Sequence, residues 1–250
     1  MAVPCFYNMA LLCSGVKHYH MVALDDRYPH MLIVGSSGSG KSYALTLVVG
    51  KFVLYEASTR LVICDYKKAT FGWMGNQSGF YWHLSAVDGI KFVYAEMQRR
   101  IKLDNKDLNK QKIIIVIDEY ASLVLALDKK SGEEVKRMVS ELLMTGRSLG
   151  IQVIVAIQRA DAEFFLHGAR EQYNTMLMLG DLSKEQKNML LPDYRESMNE
   201  HNSVGQGYLF VAGQGIARVQ VPEVVNLEKL HSIIRERLVN TSPSADVGEA

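Results

Sequence analysis

The chain has 250 residues, 48% of them hydrophobic and 22% charged, with 28 Lys and Arg against 27 Asp and Glu. That is ordinary globular composition with length for one large domain or two small ones, and it excludes wholesale disorder. No apolar run reaches about 18 residues, so the sequence contains no transmembrane helix, and a formal charge of +1 means that any nucleic-acid surface has to be local.

The N-terminal stretch through His20 is mildly apolar and lacks a basic leader, its first lysine being Lys17. It reads as an extension, residues 1–27, packed on the main domain; contact with a partner is the other reading. Cys5, Cys13 and Cys64 lie far apart without a CxxC pair. They read as reduced thiols of a cytoplasmic protein and as small buried hydrophobes. The seven histidines show no metal-binding spacing.

Strand and helix patterns then alternate, the mark of a parallel α/β sheet. Residues 31–35 form an apolar run ending in glycine, and 41–54 read as a helix. Residues 60–65 form a second buried strand. Residues 71–90 mix aromatics, glycines and serines without a period and read as loop or short pieces. Apolar spacing of three to four predicts a helix over 87–103. Residues 113–118 form a third, β-branched strand. A helix follows over 131–150, with Ser131 as cap and Glu134 three residues on. Residues 151–158 and 175–180 are the fourth and fifth strands. Residues 207–213 and 215–221 read as a closing β-hairpin. A single domain over 1–240 and a flexible tail over 241–250 are expected.

Gly35-Ser36-Ser37-Gly38-Ser39-Gly40-Lys41-Ser42 matches GxxxxGK[ST] at every place. Glycines let successive N–H groups turn inward as a nest for phosphate oxygens. The following helix aims its positive end at the same anion. Lys41 neutralises phosphate charge and Ser42 offers a hydroxyl to Mg2+. The loop follows a predicted strand and opens a predicted helix, the setting this motif needs. The expected ligands are ATP and Mg2+, with Gly35 through Ser42 and Tyr43 as the binding set.

The third strand ends in Asp118-Glu119. Ligands of open α/β sheets bind at that edge. Asp118 suits Mg2+, directly or through water, and Glu119 suits polarisation of the attacking water. The strand over 60–65 lies between the two motifs in sequence. This order and the second carboxylate indicate a RecA-like (ASCE) P-loop NTPase with a mostly parallel central sheet and helices on both faces. Gln158, at the end of the fourth strand, is a candidate γ-phosphate sensor.

Five segments in order resemble the motor domain of FtsK/SpoIIIE-type DNA translocases, within the FtsK/HerA superfamily that includes conjugative coupling proteins. They are YPHMLIVGSSGSGKS, LVICDYKKATF, FVYAEMQRRIKL, IIIVIDEYASLVLAL and TGRSLGIQVIVAIQRAD. The resemblance covers roughly residues 28–222. It implies an ATP-hydrolysing ring, usually a hexamer, that moves along double-stranded DNA, and single strands are a further option. It also implies arginines that complete a neighbour's site: Arg147 matches one such arginine and Arg159 another, and Arg147 is preferred. Ala160 stands where the family usually has proline. A membrane anchor and a DNA-reading domain are missing from the sequence, so a membrane-anchored or DNA-processing partner is expected to supply them.

A translocating ring needs cations on its channel. Residues 128–132 read as a loop matching a lysine-containing loop of the family, and Lys129 and Lys130 are the candidate DNA contacts. The basic stretch 99–112 reads first as a solvated face. Phe71, Trp73, Phe80, Tyr81 and Trp82 read as core or subunit interface, with a stacking surface for single strands as the alternative. Genome packaging, protein export and a non-motor, ATP-dependent assembly module remain open beside DNA transfer or segregation. The intact acidic pair counts against the last.

Overall fold

The computed structural model describes residues 2–25, 27–103 and 111–239. The tail expected over 241–250 lies outside them, as do Asp104, Lys106, Asp107 and Lys110 of the basic stretch.

The elements in chain order are β1 (Ala2–Asn8), α1 (Met9–Cys13), β2 (Tyr19–Ala23), β3 (His30–Gly35), α2 (Lys41–Tyr55), β4 (Arg60–Asp65), β5 (Phe80–Trp82), α3 (Ala86–Ile101), β6 (Ile113–Asp118), α4 (Tyr120–Ala126), α5 (Lys129–Thr145), β7 (Ile151–Ile157), β8 (Thr175–Leu179), α6 (Lys184–Leu190), β9 (Gln206–Val211), β10 (Gly215–Gln220) and α7 (Leu227–Arg235). Short 3-10 turns join several of them.

One ten-stranded sheet runs β2-β1-β10-β9-β8-β3-β7-β6-β4-β5. The strands from β8 to β5 are mutually parallel, and β9, β10, β1 and β2 extend the sheet antiparallel from β8. Residues 113–118 and 151–157 are buried throughout. That explains why they read as continuous β-branched runs: parallel strands are covered on both faces. One face packs on α3, α4 and α5 through Ile90, Val93, Leu123, Val135 and Leu142. The other packs on α2 and α7 through Leu45, Val48, Val49, Leu230 and Ile234. At Gly50 of α2 an added Cβ would run into the Leu230 side chain, so this glycine sets how closely α7 approaches.

Three sequence expectations change. The helix expected over 131–150 is α5 and begins at Lys129, because Asp128 caps it: Asp128 Oδ1 accepts the N–H of Lys130 at 3.0 Å and of Ser131 at 3.2 Å. An acidic N-cap three residues upstream wins over Ser131, so residues 129–132 are the first helical turn rather than a loop. Within 71–90 there is an edge strand, and α3 already starts at Ala86. Cys13 is exposed, while Cys5 and Cys64 are buried. Burial pushes the Cys5 thiol up to about 12, consistent with an inert packing role.

Of the aromatic group, Phe71 and Phe80 are core residues, and Trp73, Tyr81 and Trp82 are half-buried. Trp73 stacks on His231 of α7 with ring centroids 3.7 Å apart.

Candidate functional site: a phosphate loop facing paired carboxylates

β3 ends at Gly35 and α2 begins at Lys41, so the loop 36–40 sits at the C-terminal edge of the sheet. Gly38 and Gly40 have φ of 81° and 90°, a left-handed backbone that an L side chain resists. The amides of Gly38, Gly40, Lys41 and Ser42 have no acceptor among the described residues. Gly40 caps α2 without a side-chain bond, which leaves the helix N-terminus open to an anion. The back of the loop is seated on the turn at Gly205, whose N–H donates to Ser39 O at 2.9 Å. The Ser39 hydroxyl is buried without a partner, a further polar atom turned into the cradle wall.

β6 lies two strands from β3, beyond β7, and delivers Asp118 and Glu119 to the same edge. Lys41, 5% exposed, places Nζ 3.3 Å from Asp118 Oδ1 and 3.1 Å from Glu119 Oε1. Asp118 Oδ1 also accepts the Glu119 N–H at 2.9 Å, and Oδ2 accepts the Thr70 hydroxyl at 2.5 Å. Glu119 sits at φ 56°, a left-handed position for a residue with a side chain. Such backbone is held only where its surroundings over-determine it, commonly at functional sites.

The second oxygen of Glu119 has three donors. Lys67 Nζ is 2.8 Å away, Gln158 Nε2 3.3 Å and Ser122 Oγ 3.3 Å. Burial works to raise the Glu119 carboxyl, but hydrogen bonding from Lys67 and the charge of Lys41 hold it below its ordinary value. Asp65, opposite Asp118 in the β4–β6 register, is shifted the other way. Burial comes first there, the Asp118 charge adds to it, and the N–H groups of Phe71 and Thr70 oppose both.

Tyr43 follows the loop on α2, and its hydroxyl accepts the Val224 N–H at 2.5 Å. With Gly40, Gly205, Val221 and Val224 it lines a mostly apolar cleft of about 420 Å³ beside the phosphate loop, the size and character of a small-ligand pocket.

The structure thus brings together Lys41, Asp118, Glu119 and Gln158. Ser42 opens α2 one residue past Lys41, its side chain exposed. Arg147 is apart from them: it lies exposed in the turn Gly146–Leu149 that enters β7, at the N-terminal edge of the sheet. It therefore cannot reach its own phosphate loop. Arg159 follows Gln158 and is tied to Asp161 at 2.7 Å. Lys129 and Lys130 are exposed on the first turn of α5.

Sequence reading missed the roles of Lys67, Thr70 and Asp65. The available signal was the Asp-x-Lys ending of β4, a strand that neighbours β6 only once the sheet order is known. It also missed a basic cleft of about 490 Å³ beside α6, lined by Lys184, Lys187, Asn188, Arg195, Glu196 and Asn199.

The cradle fits a Mg2+-nucleoside triphosphate. Its free amides and buried ammonium suit phosphate, and the hard oxygen donors of Ser42 and Asp118 suit Mg2+. Among the described residues no cluster of three or more His, Cys, Asp or Glu is placed to hold a metal ion. Fold and loop are those of a P-loop nucleotide-binding domain.

No family model matches the chain. It is 26% identical over 228 residues to the FtsK domain-containing protein YdcQ of Bacillus subtilis, covering 86% of this chain and 47% of that protein. It is 27% identical over 157 residues to the DNA translocase FtsK of Treponema pallidum, covering 52% and 19%. Among solved structures, the pCW3 conjugation coupling protein TcpA with ATPγS superposes with a TM-score of 0.70 at 19% identity, over 95% of this chain and 70% of that one. The cytoplasmic domain of the Type VII secretion ATPase EccC of Thermomonospora curvata gives 0.69 at 22%, over 97% and 31%. The chain spans less than half the length of these curated relatives. These similarities are to FtsK-domain proteins and, in fold, to conjugation and secretion ATPases.

Proposed function

We propose that this chain is the motor unit of a double-stranded DNA translocase that hydrolyses ATP with Mg2+ and works as a homo-hexameric ring in DNA transfer or segregation. The observation that carries the catalytic part is the buried Lys41 ammonium held between Asp118 and Glu119. A loop lysine, a metal-binding aspartate and a water-directing glutamate converge at one sheet edge.

Ser42 and Asp118 would hold Mg2+, which when bound would neutralise charge at the phosphates. Lys41 exchanges its carboxylate partners for phosphate oxygens, and the loop amides hold the remaining negative charge. Water oxygen bonds to the γ-phosphorus, the bridging P–O bond to ADP breaks, and Glu119 takes the water proton. Gln158, already on Glu119, is placed to report whether the γ-phosphate is present. The cleft at Tyr43 takes the base.

Coupling to DNA has a physical route. Gln158 donates to Glu119, and its carbonyl accepts Gln186 Nε2 of α6 at 3.4 Å. That helix carries Lys184 and Lys187 of the basic cleft. The cleft joins Lys129 and Lys130 as proposed contacts to DNA phosphates, giving sequence-independent, salt-sensitive binding. Arg147 acts in a neighbour's site, since its own lies at the opposite edge of the sheet. The described residues act as one ATPase unit in the cytoplasm, and a membrane-bound or DNA-processing partner recruits the ring.

The test is steady-state ATP hydrolysis with and without long double-stranded DNA. Glu119→Gln keeps ATP binding and loses turnover. Turnover indifferent to DNA points instead to a secretion motor, the class to which the Type VII secretion ATPase EccC belongs by name.

A further inference from the structure

Lys41, as it is placed, cannot serve phosphate and carboxylate together. Its ammonium lies within 3.3 Å of both Asp118 and Glu119. When a triphosphate arrives, Lys41 has to leave at least the Glu119 oxygen, and that oxygen then loses a charged donor inside a mostly buried pocket. Leaving a buried carboxylate without its cation is strongly unfavourable. The cost falls on nucleotide binding unless a second cation stays behind.

Lys67 is that second cation. Its Nζ lies 2.8 Å from Glu119 Oε2, the oxygen Lys41 does not touch. The two neutral donors on the same oxygen are both longer, at 3.3 Å. The backbone that carries Lys67 is pinned from both sides. Tyr66 O accepts the His83 N–H at 3.1 Å, Asp65 O accepts the Lys68 N–H at 3.1 Å, and Asp65 Oδ2 accepts the N–H groups of Thr70 and Phe71 at 3.0 and 2.8 Å. The neighbouring Lys68, at φ 54°, turns away and stands 3.8 Å over the Trp82 ring. Two adjacent lysines are thus sorted: one onto an aromatic face, the other onto the glutamate.

We infer that Lys67 is a positioning residue that keeps Glu119 charge-paired while Lys41 moves to phosphate, so that its presence strengthens nucleotide binding by acting through Glu119 and not by touching nucleotide. The inference rests on the nucleotide-site reading above. It makes Lys67 a competitor of Lys41 for one carboxylate.

The experiment is calorimetric titration of ATPγS with Mg2+ into four proteins: wild type, Lys67→Met, Glu119→Gln, and both together. Lys67→Met raises Kd about three- to tenfold when Glu119 is present, the range of one partly exposed charge pair. In the Glu119→Gln background the same substitution changes Kd less than about twofold, because no carboxylate is left to compete for Lys41. Lys67→Arg keeps wild-type affinity, which holds the test open if the methionine variant unfolds. An equal loss in both backgrounds, as for a lysine that touches phosphate, overturns the inference, and so does no loss in either. Wild type that binds ATPγS no better than Lys41→Ala overturns the nucleotide-site reading itself, and this inference with it.

Discussion

The Thr70 hydroxyl donates to Asp118 Oδ2 at 2.5 Å, joining the loop after β4 to the carboxylate that ends β6. Asp118 is 1% exposed, so both its oxygens depend on protein donors. Thr70→Val keeps the shape and removes the donor. The expected loss is about 1–3 kcal/mol, the cost of leaving a charged buried acceptor short of a partner. Urea unfolding checks this, and Thr70→Ser is expected to restore most of it. An unchanged midpoint for the valine variant contradicts the role.

Lys41→Met removes the buried cation that contacts both carboxylates. Two losses are expected in that variant. Nucleotide binding disappears, and the protein without nucleotide is destabilised by about 3 kcal/mol because a buried carboxylate loses its cation partner. Thermal unfolding without nucleotide measures the second loss separately from the first.

Gly40→Ala tests the loop. The position has φ +90°, and an added Cβ would lie 3.1 Å from the Gly205 N–H nitrogen. Left-handed backbone alone costs a residue with a side chain about 1–2 kcal/mol. The loop can relieve this only by leaving Gly205, which spoils the amide cradle. Loss of nucleotide binding with a modest fall in melting temperature is expected, and intact binding contradicts the cradle.

The pH dependence of stability follows from Glu119. Its carboxyl titrates below its ordinary value in the folded protein, through Lys67 and Lys41 against the opposing effect of burial. A depressed carboxylate adds stability above its unfolded pKa and loses it as pH falls through the folded value. The stability gap between wild type and Glu119→Gln is therefore expected to be full near neutrality and to shrink on acidification below the ordinary glutamate range. Denaturant unfolding at a series of pH values measures it, and a gap constant with pH counts against the ion pairs.

The central strands, the phosphate loop and the acidic pair were legible because each is written locally. Parallel strands buried on both faces appear as unbroken apolar runs, and the loop needs its glycines at fixed spacing. Lys67 and Thr70 were hidden because their meaning depends on β4 lying beside β6, an order set by crossovers rather than by neighbours in sequence. The start of α5 was misplaced because two capping signals lie three residues apart, and only geometry shows that Asp128 makes the bonds. Strands β1 and β2 were hidden for a similar reason. Their stretch of sequence is mildly apolar with no clear period, and it becomes sheet because β10 offers an edge to pair with.

The most direct measurement is steady-state ATP hydrolysis by wild type and Glu119→Gln, with and without long double-stranded DNA, at low and moderate salt. A DNA motor with this site gives wild-type turnover that DNA stimulates, stimulation that weakens as salt rises, and a Glu119→Gln protein that binds ATP without turning it over. Full turnover in the glutamine variant, or wild-type turnover that DNA leaves unchanged at both salts, contradicts that assignment.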